Sequence, residues 1–149
     1  MRNSLAMQQF KKTYQDDALE MEVYGASPVG LIVLLYEGAI RAINQAKVMM
    51  QQQQFAEKGR LINKAIDIIE GLRVVLDHEH GKEISKNLED LYVYSKYRLG
   101  VANVKNDTGI LDEVANLLGV ILPSWKELAK NPHAAPAQPG VAPRQAASL

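Results

Sequence analysis

Between residues 28 and 130 the apolar positions return at intervals of three and four, the period that keeps side chains on one face of an α-helix. The first such stretch opens at Ser27-Pro28. The serine hydroxyl can accept from unpaired backbone N–H groups, and Pro28 fits a first helical position, which needs no N–H. Ile32, Leu35, Tyr36, Ala39, Ile43, Ala46 and Met50 then share a face, and the helix is predicted to end near Gln52, in a short polar glutamine run. A second stretch runs from about Phe55 to His78. Leu61, Ile62, Ala65, Ile66, Ile68, Ile69, Leu72, Val75 and Leu76 make an arc wide enough for two neighbours, which predicts a central helix closed by Gly81. The third stretch, from about Lys82 to Lys105, places Ile84, Leu88, Leu91, Tyr92, Ser95, Leu99 and Ala102 on one stripe. Val93, Tyr97, Val101 and Val104 lie off it and add apolar surface that asks for a partner. Asn106-Asp107-Thr108 reads as a turn and cap, after which Leu111, Val114, Leu118, Ile121, Leu122, Trp125 and Leu128 mark a fourth helix. Pro123 removes one hydrogen bond of that helix and presses on the Gly119 carbonyl, which predicts a kink rather than a stop.

Strict apolar–polar alternation occurs nowhere, so no strand competes with this reading. The prediction is an all-α protein: an antiparallel up-down four-helix bundle over residues 25–130, with helices of roughly 20 to 25 residues. Residues 1–24 form a polar lead in which Phe10, Tyr14, Ala18 and Met21 are spaced by four, four and three, consistent with a short segment or helix packed on the bundle. In residues 131–149, Pro132, Pro136, Pro139 and Pro143 recur among Ala, Gln, Gly and Ser, so a disordered tail is expected there.

Composition narrows the function classes. Seventeen basic residues balance seventeen acidic ones in 149, so no net field draws the chain to nucleic acid or anionic lipid. A net charge of zero also favours weak homodimerisation of the free protein. The absence of cysteine excludes thiol catalysis, Cys-based zinc sites and disulfides. No apolar run approaches a membrane span and no signal-peptide core opens the chain, so the expectation is a cytoplasmic protein without membrane insertion.

Candidate chemistry falls away on spacing. Gly25-Ala26-Ser27-Pro28-Val29 begins like a nucleophile elbow but lacks its second glycine and its strand, which leaves Ser27 as a cap. His78 and His80, two apart, diverge on a helix and cannot chelate one ion; solvated imidazoles at a helix C-terminus are the favoured reading. Asp77 and His80 supply only half of a bundle metal pair. No catalytic, metal or cofactor residues are therefore assigned. The enzyme-like alternative, a histidine phosphotransfer bundle, would need a reactive mid-helix His followed by a basic residue and Gly, whereas here Gly81 precedes Lys82.

Taken in order, Ala26-Ser27-Pro28, Leu35-Tyr36-Glu37-Gly38-Ala39-Ile40, Lys64-Ala65-Ile66-Asp67-Ile68-Ile69 and Leu76-Asp77 with Gly81 form a series of landmarks. Asn87-Leu88, Leu91-Tyr92-Val93-Tyr94, Arg98-Leu99, Ala102-Asn103, Asn106-Asp107, Glu113-Val114 and Trp125-Lys126-Glu127 continue it. In order and spacing the series resembles the flagellar secretion chaperones of the FliS type. Tyr14 resembles the tyrosine of that family's N-terminal segment. Glu37 stands where the family usually has Asp and Gly25 where Thr or Ser is common; Pro123 and the Ala/Pro tail are further departures.

The resemblance implies a non-enzymatic chaperone that holds the C-terminal segment of flagellin in apolar grooves, prevents premature polymerisation and aids delivery to the cytosolic domain of the flagellar type III export gate. The groove candidates are Leu72, Leu76, Leu91, Tyr94, Leu99, Asn103, Leu111, Val114 and Leu118, with core packing as the competing role for each apolar one. Phe10, Tyr14, Ala18 and Met21 are candidates for a groove lid or a contact to the export gate. Tyr36, Leu88 and Trp125 are placed in the core or at its edge.

Overall fold

A computed structural model describes residues 27–130, and over them the chain forms four helices and no strand: α1 Pro28–Gln51, α2 Phe55–Val74, α3 His78–Lys105 and α4 Thr108–Lys130. α1 packs on α2 and α4, and α3 closes the ring between those two. Pairings across the seams give the directions. Glu37 and Lys47 of α1 meet Lys126 and Asp112 of α4 in reverse order, and Glu70 and Arg73 of α2 meet Lys96 and Glu89 of α3 likewise. This is the antiparallel up-down bundle, with α1 and α3 on its diagonal. The lead and tail, with Phe10, Tyr14, Ala18 and Met21, lie outside the described residues.

Local signals set most helix ends. Ser27 Oγ accepts from Gly30 N at 2.9 Å and Pro28 opens α1. Gln53, at φ 60°, turns the chain into α2. Asn106 closes α3 in the left-handed region, which asparagine tolerates better than most residues, and Asp107 Oδ1 accepts from Ile110 N at 3.2 Å to open α4. α4 then runs unbroken through Pro123.

The α2–α3 junction differs from the expectation. α2 stops at Val74, and Gly81 is not its terminator. Asp77 caps a new helix instead, its Oδ1 accepting from Glu79 N and His80 N at 3.2 and 3.3 Å, because a carboxylate beside free N–H groups outweighs a glycine four residues on. The backbone break falls at Lys82 (φ 47°, ψ −115°), where Ser85 Oγ reaches back to the Asp77 carbonyl at 2.7 Å. His78 and His80 thus stand at a helix N-terminus, exposed, not at a C-terminus.

The most buried helix is α1 rather than α2. Every residue from Val29 to Tyr36 is buried, followed by Gly38, Ala39, Ala42, Ile43, Ala46 and Met50. By length and composition α1 could cross a membrane, but most of its apolar stretch is buried within the protein. At the centre the Tyr36 and Tyr92 hydroxyls meet at 2.6 Å, joining α1 to α3 across the diagonal. Their rings meet edge to face with centroids 6.2 Å apart, and the Trp125 ring of α4 lies tilted with its centroid 6.2 Å from that of Tyr36. Burial pushes both phenols above their ordinary pKa, so both stay protonated and one hydroxyl donates to the other. Lys58 is also buried: Nζ donates to the Asn103 carbonyl at 2.9 Å and to Asn106 Oδ1 at 2.8 Å, and lies 5.5 Å from the Phe55 ring centroid, which ties the start of α2 to the end of α3.

Removing one hydroxyl leaves the other buried without its partner, whereas removing both leaves nothing unpaired. Tyr36→Phe and Tyr92→Phe should each lower stability by about 1–2 kcal/mol, and the double variant by less than their sum. Urea unfolding followed by Trp125 fluorescence measures this; full additivity would show that the hydroxyls do not act as a pair.

Candidate partner-binding site

The inward positions of α3 are Ser85, Leu88, Tyr92, Ser95, Leu99 and Ala102. The rest of the helix faces three ways. Toward α2 it presents Glu89 and Lys96, which pair with Arg73 at 3.3 Å and Glu70 at 2.6 Å. Toward α4 it presents Tyr94 and Arg98, both bonded to Glu113, the arginine at 3.0 Å. Between these two polar lines an apolar stripe faces outward: Val93 is 51%, Tyr97 68% and Val104 84% exposed. Val101 and Gly100 fill the gap, and a shallow depression of about 400 Å³ lies over them between Tyr97 and Val104, bordered by Lys96 and Lys105. Farther along, Ile84 and Leu88 of α3 and Ile121, Ser124, Trp125 and Leu128 of α4 line a second cleft of about 210 Å³.

The charges beside the stripe are already matched. Glu70 accepts two hydrogen bonds from Arg73 and one from Lys96, which hold its carboxyl down to about 2 and raise Arg73. Tyr94 and then Arg98 hold Glu113 below the ordinary carboxylate range. A partner on this face therefore meets an apolar floor whose long sides are ion-paired, with the exposed Lys105 at one end.

The nine sequence candidates separate in this geometry. Leu72, Leu99, Leu111, Val114 and Leu118 are fully buried core side chains, so they line no open groove in the structure as it stands. Leu76 and Leu91 are half-buried against the core, Tyr94 is 42% exposed in the polar line to Glu113, and Asn103 is half-buried with its carbonyl accepting from Lys58. Tyr36, Leu88 and Trp125 sit in the core as expected. The outward side chains missing from the groove candidates are Val93, Tyr97 and Val104. Their signal was available, since they are the apolar positions off the main α3 stripe, and a helix with one side in the core must face them elsewhere. His78 Nε2 contacts Glu89 Oε1 at 2.7 Å and His80 Nδ1 contacts Asp77 Oδ2 at 3.0 Å. Among the described residues no three His, Asp or Glu side chains gather in a group that could hold a metal ion.

Among the described residues α3 thus carries an apolar outer face on an antiparallel bundle, and the sequence has relatives of known family. The family described as "Flagellar protein FliS" matches residues 10–132. The chain belongs to the FliS family. It is 46% identical over 114 residues to the flagellar secretion chaperone FliSB of Pseudomonas aeruginosa, covering 76% of this chain and 90% of that one. It is 40% identical over 119 residues to the flagellar secretion chaperone FliS of Salmonella typhimurium, covering 79% and 88%. The Bacillus subtilis FliS chaperone is 30% identical over 123 residues, covering 83% and 88%. Membership supports a role as a flagellar secretion chaperone.

The Glu70 cluster carries a pH dependence. A carboxyl whose folded pKa is depressed stabilises the fold fully above its unfolded value, near 4.5, and loses that contribution as pH falls toward about 2. Glu70→Gln should therefore flatten the acid limb of stability between about pH 4.5 and 2. After solvent screening of these partly exposed groups the difference at neutral pH should be at most about 1 kcal/mol. Thermal melts across that pH range check it, and an unchanged acid limb would show that Glu70 gains nothing from Arg73 and Lys96.

Proposed function

We propose that this protein is the export chaperone of flagellin: it captures the disordered C-terminal segment of flagellin on its apolar surface, keeps it from polymerising and passes it to the export gate in the cytosol. The observation that carries this reading is the outward apolar stripe of α3, Val93, Tyr97 and Val104, in a family of flagellar secretion chaperones. A disordered segment with apolar anchors at helical spacing gains a surface there on which to fold, and no bond chemistry or cofactor is involved. Half-buried Leu76 and Leu91, with Tyr94 and Asn103, would extend the contact around α3. The phosphotransfer alternative loses ground because His78 and His80 stand in the first turn of α3 rather than mid-helix, and Glu89 occupies Nε2 of His78.

Titration calorimetry with a peptide covering roughly the last forty residues of the cognate flagellin should give 1:1 binding, a large negative heat-capacity change and a gain of helix by circular dichroism. No binding by the folded protein would remove the flagellin assignment.

In the same reading residues 1–24, with Phe10, Tyr14, Ala18 and Met21, act as a lid that flagellin displaces or as the contact to the gate. Deleting residues 1–24 should then tighten flagellin binding while the helix content of the bundle stays intact. Weaker binding by a fully folded truncated bundle would exclude the lid.

A further inference from the structure

The middle of α3 holds a glycine that the described fold does not explain. Glycine inside a helix lowers its stability relative to alanine, so a mid-helix glycine calls for something nearby that needs the missing Cβ. A Cβ built at Gly100 would meet no atom within 4 Å, so no neighbour in the described chain excludes alanine. Gly119 of α4 is equally open, but it has a reason close by: its carbonyl faces the ring of Pro123, and glycine eases the adjustment of the backbone there. Gly100 has no such neighbour. It lies instead on the floor of the outward depression, between the side chains of Tyr97 and Val104.

We infer that Gly100 is a notch that receives an apolar side chain of a helix lying along α3, and that this helix is supplied by the secretion substrate. The inference rests on the flagellin reading above and adds to it the point of closest approach. The depression has the shape for this: walls at Tyr97 and Val104 one helical turn to either side, Val101 beside the gap, and a floor of bare backbone. Charge contributes little to the choice of occupant: of the two lysines that border the depression Lys96 is engaged by Glu70, Lys105 stands exposed at one end, and the rest of the lining is apolar or bare backbone, which leaves apolar complementarity as the main selecting property. Area argues against a second copy of the chain. From Val93 to Val104 the stripe spans about 17 Å and, at one helix width, offers on the order of 200 Å², well short of the ~800 Å² per partner typical of stable protein pairs. A segment that folds as it binds can make further contacts elsewhere and needs the stripe only as an anchor point.

The test compares wild-type protein with Gly100→Ala and Val104→Ala, using the same flagellin C-terminal peptide and a thermal melt of each free protein. Alanine at position 100 should raise the melting temperature, because the helix gains and nothing clashes, yet weaken peptide binding roughly tenfold by filling the notch. Val104→Ala should leave the melt nearly unchanged, since the side chain is 84% exposed, and also weaken binding. Opposite movements of stability and affinity at one residue are what a purely structural glycine would not produce. Wild-type affinity in Gly100→Ala overturns the notch while leaving the flagellin reading standing, and wild-type affinity in Val104→Ala does the same for the depression. Failure of the wild-type protein to bind overturns both. Concentration-dependent dimerisation abolished by Gly100→Ala would assign the notch to a second copy and overturn the substrate helix.

Discussion

The hydrogen bond between the Tyr36 and Tyr92 hydroxyls, 2.6 Å long and sealed from water, is the contact on which the arrangement of the bundle turns. It joins the two helices that are not neighbours around the ring, so it fixes the width of the core rather than the spacing of one seam. Trp125 packs on the same tyrosine and brings α4 to that point. A phenol buried without a partner is costly, and so the two hydroxyls specify one rotation of α3 in a way that an all-leucine core would not. Once Tyr92 points inward, Ser85, Leu88, Ser95, Leu99 and Ala102 follow by helical period. The same period sends Val93, Tyr97 and Val104 outward. The exposed stripe is thus a consequence of the core contact.

The seams on either side of α3 are largely polar: Arg73, Glu70 and Lys96 toward α2, and Tyr94, Arg98 and Glu113 toward α4. Pairs of this kind add little stability each, but they discharge one another along both sides of the strip between them. A surface with an apolar floor between paired rims discriminates more by shape and helical spacing than by charge.

Much of this was legible in the chain. Ser27-Pro28, Asn106 and Asp107 are local signals whose chemistry acts within three residues, and they set helix ends where the periodicity put them. The order of landmarks from Ser27-Pro28 to Trp125 likewise pointed to the right family. The α2–α3 junction was not legible, because a capping aspartate and a terminating glycine four residues apart are both valid stop signals, and only the packing of Ser85 against the Asp77 carbonyl decides between them. The dominance of α1 was in the sequence but not in its periodicity: residues 29–36 run Val-Gly-Leu-Ile-Val-Leu-Leu-Tyr without a polar position, the mark of a helix buried nearly all round, whereas a count of one face keeps only Ile32, Leu35 and Tyr36. Leu72, Leu99, Leu111, Val114 and Leu118 lie in the core because apolar spacing marks a buried face without saying whether the chain or a partner covers it.

The central claim is that the substrate binds the outer surface of a closed bundle. Hydrogen exchange of the backbone amides, followed with and without the flagellin C-terminal peptide, tests it most directly. The account predicts added protection centred on α3 from Val93 to Val104, with exchange around Tyr36, Leu72, Leu111 and Leu118 unchanged or slower. Faster exchange at those core positions on peptide binding would mean that the bundle opens to admit the substrate, and the outer-surface account would be wrong.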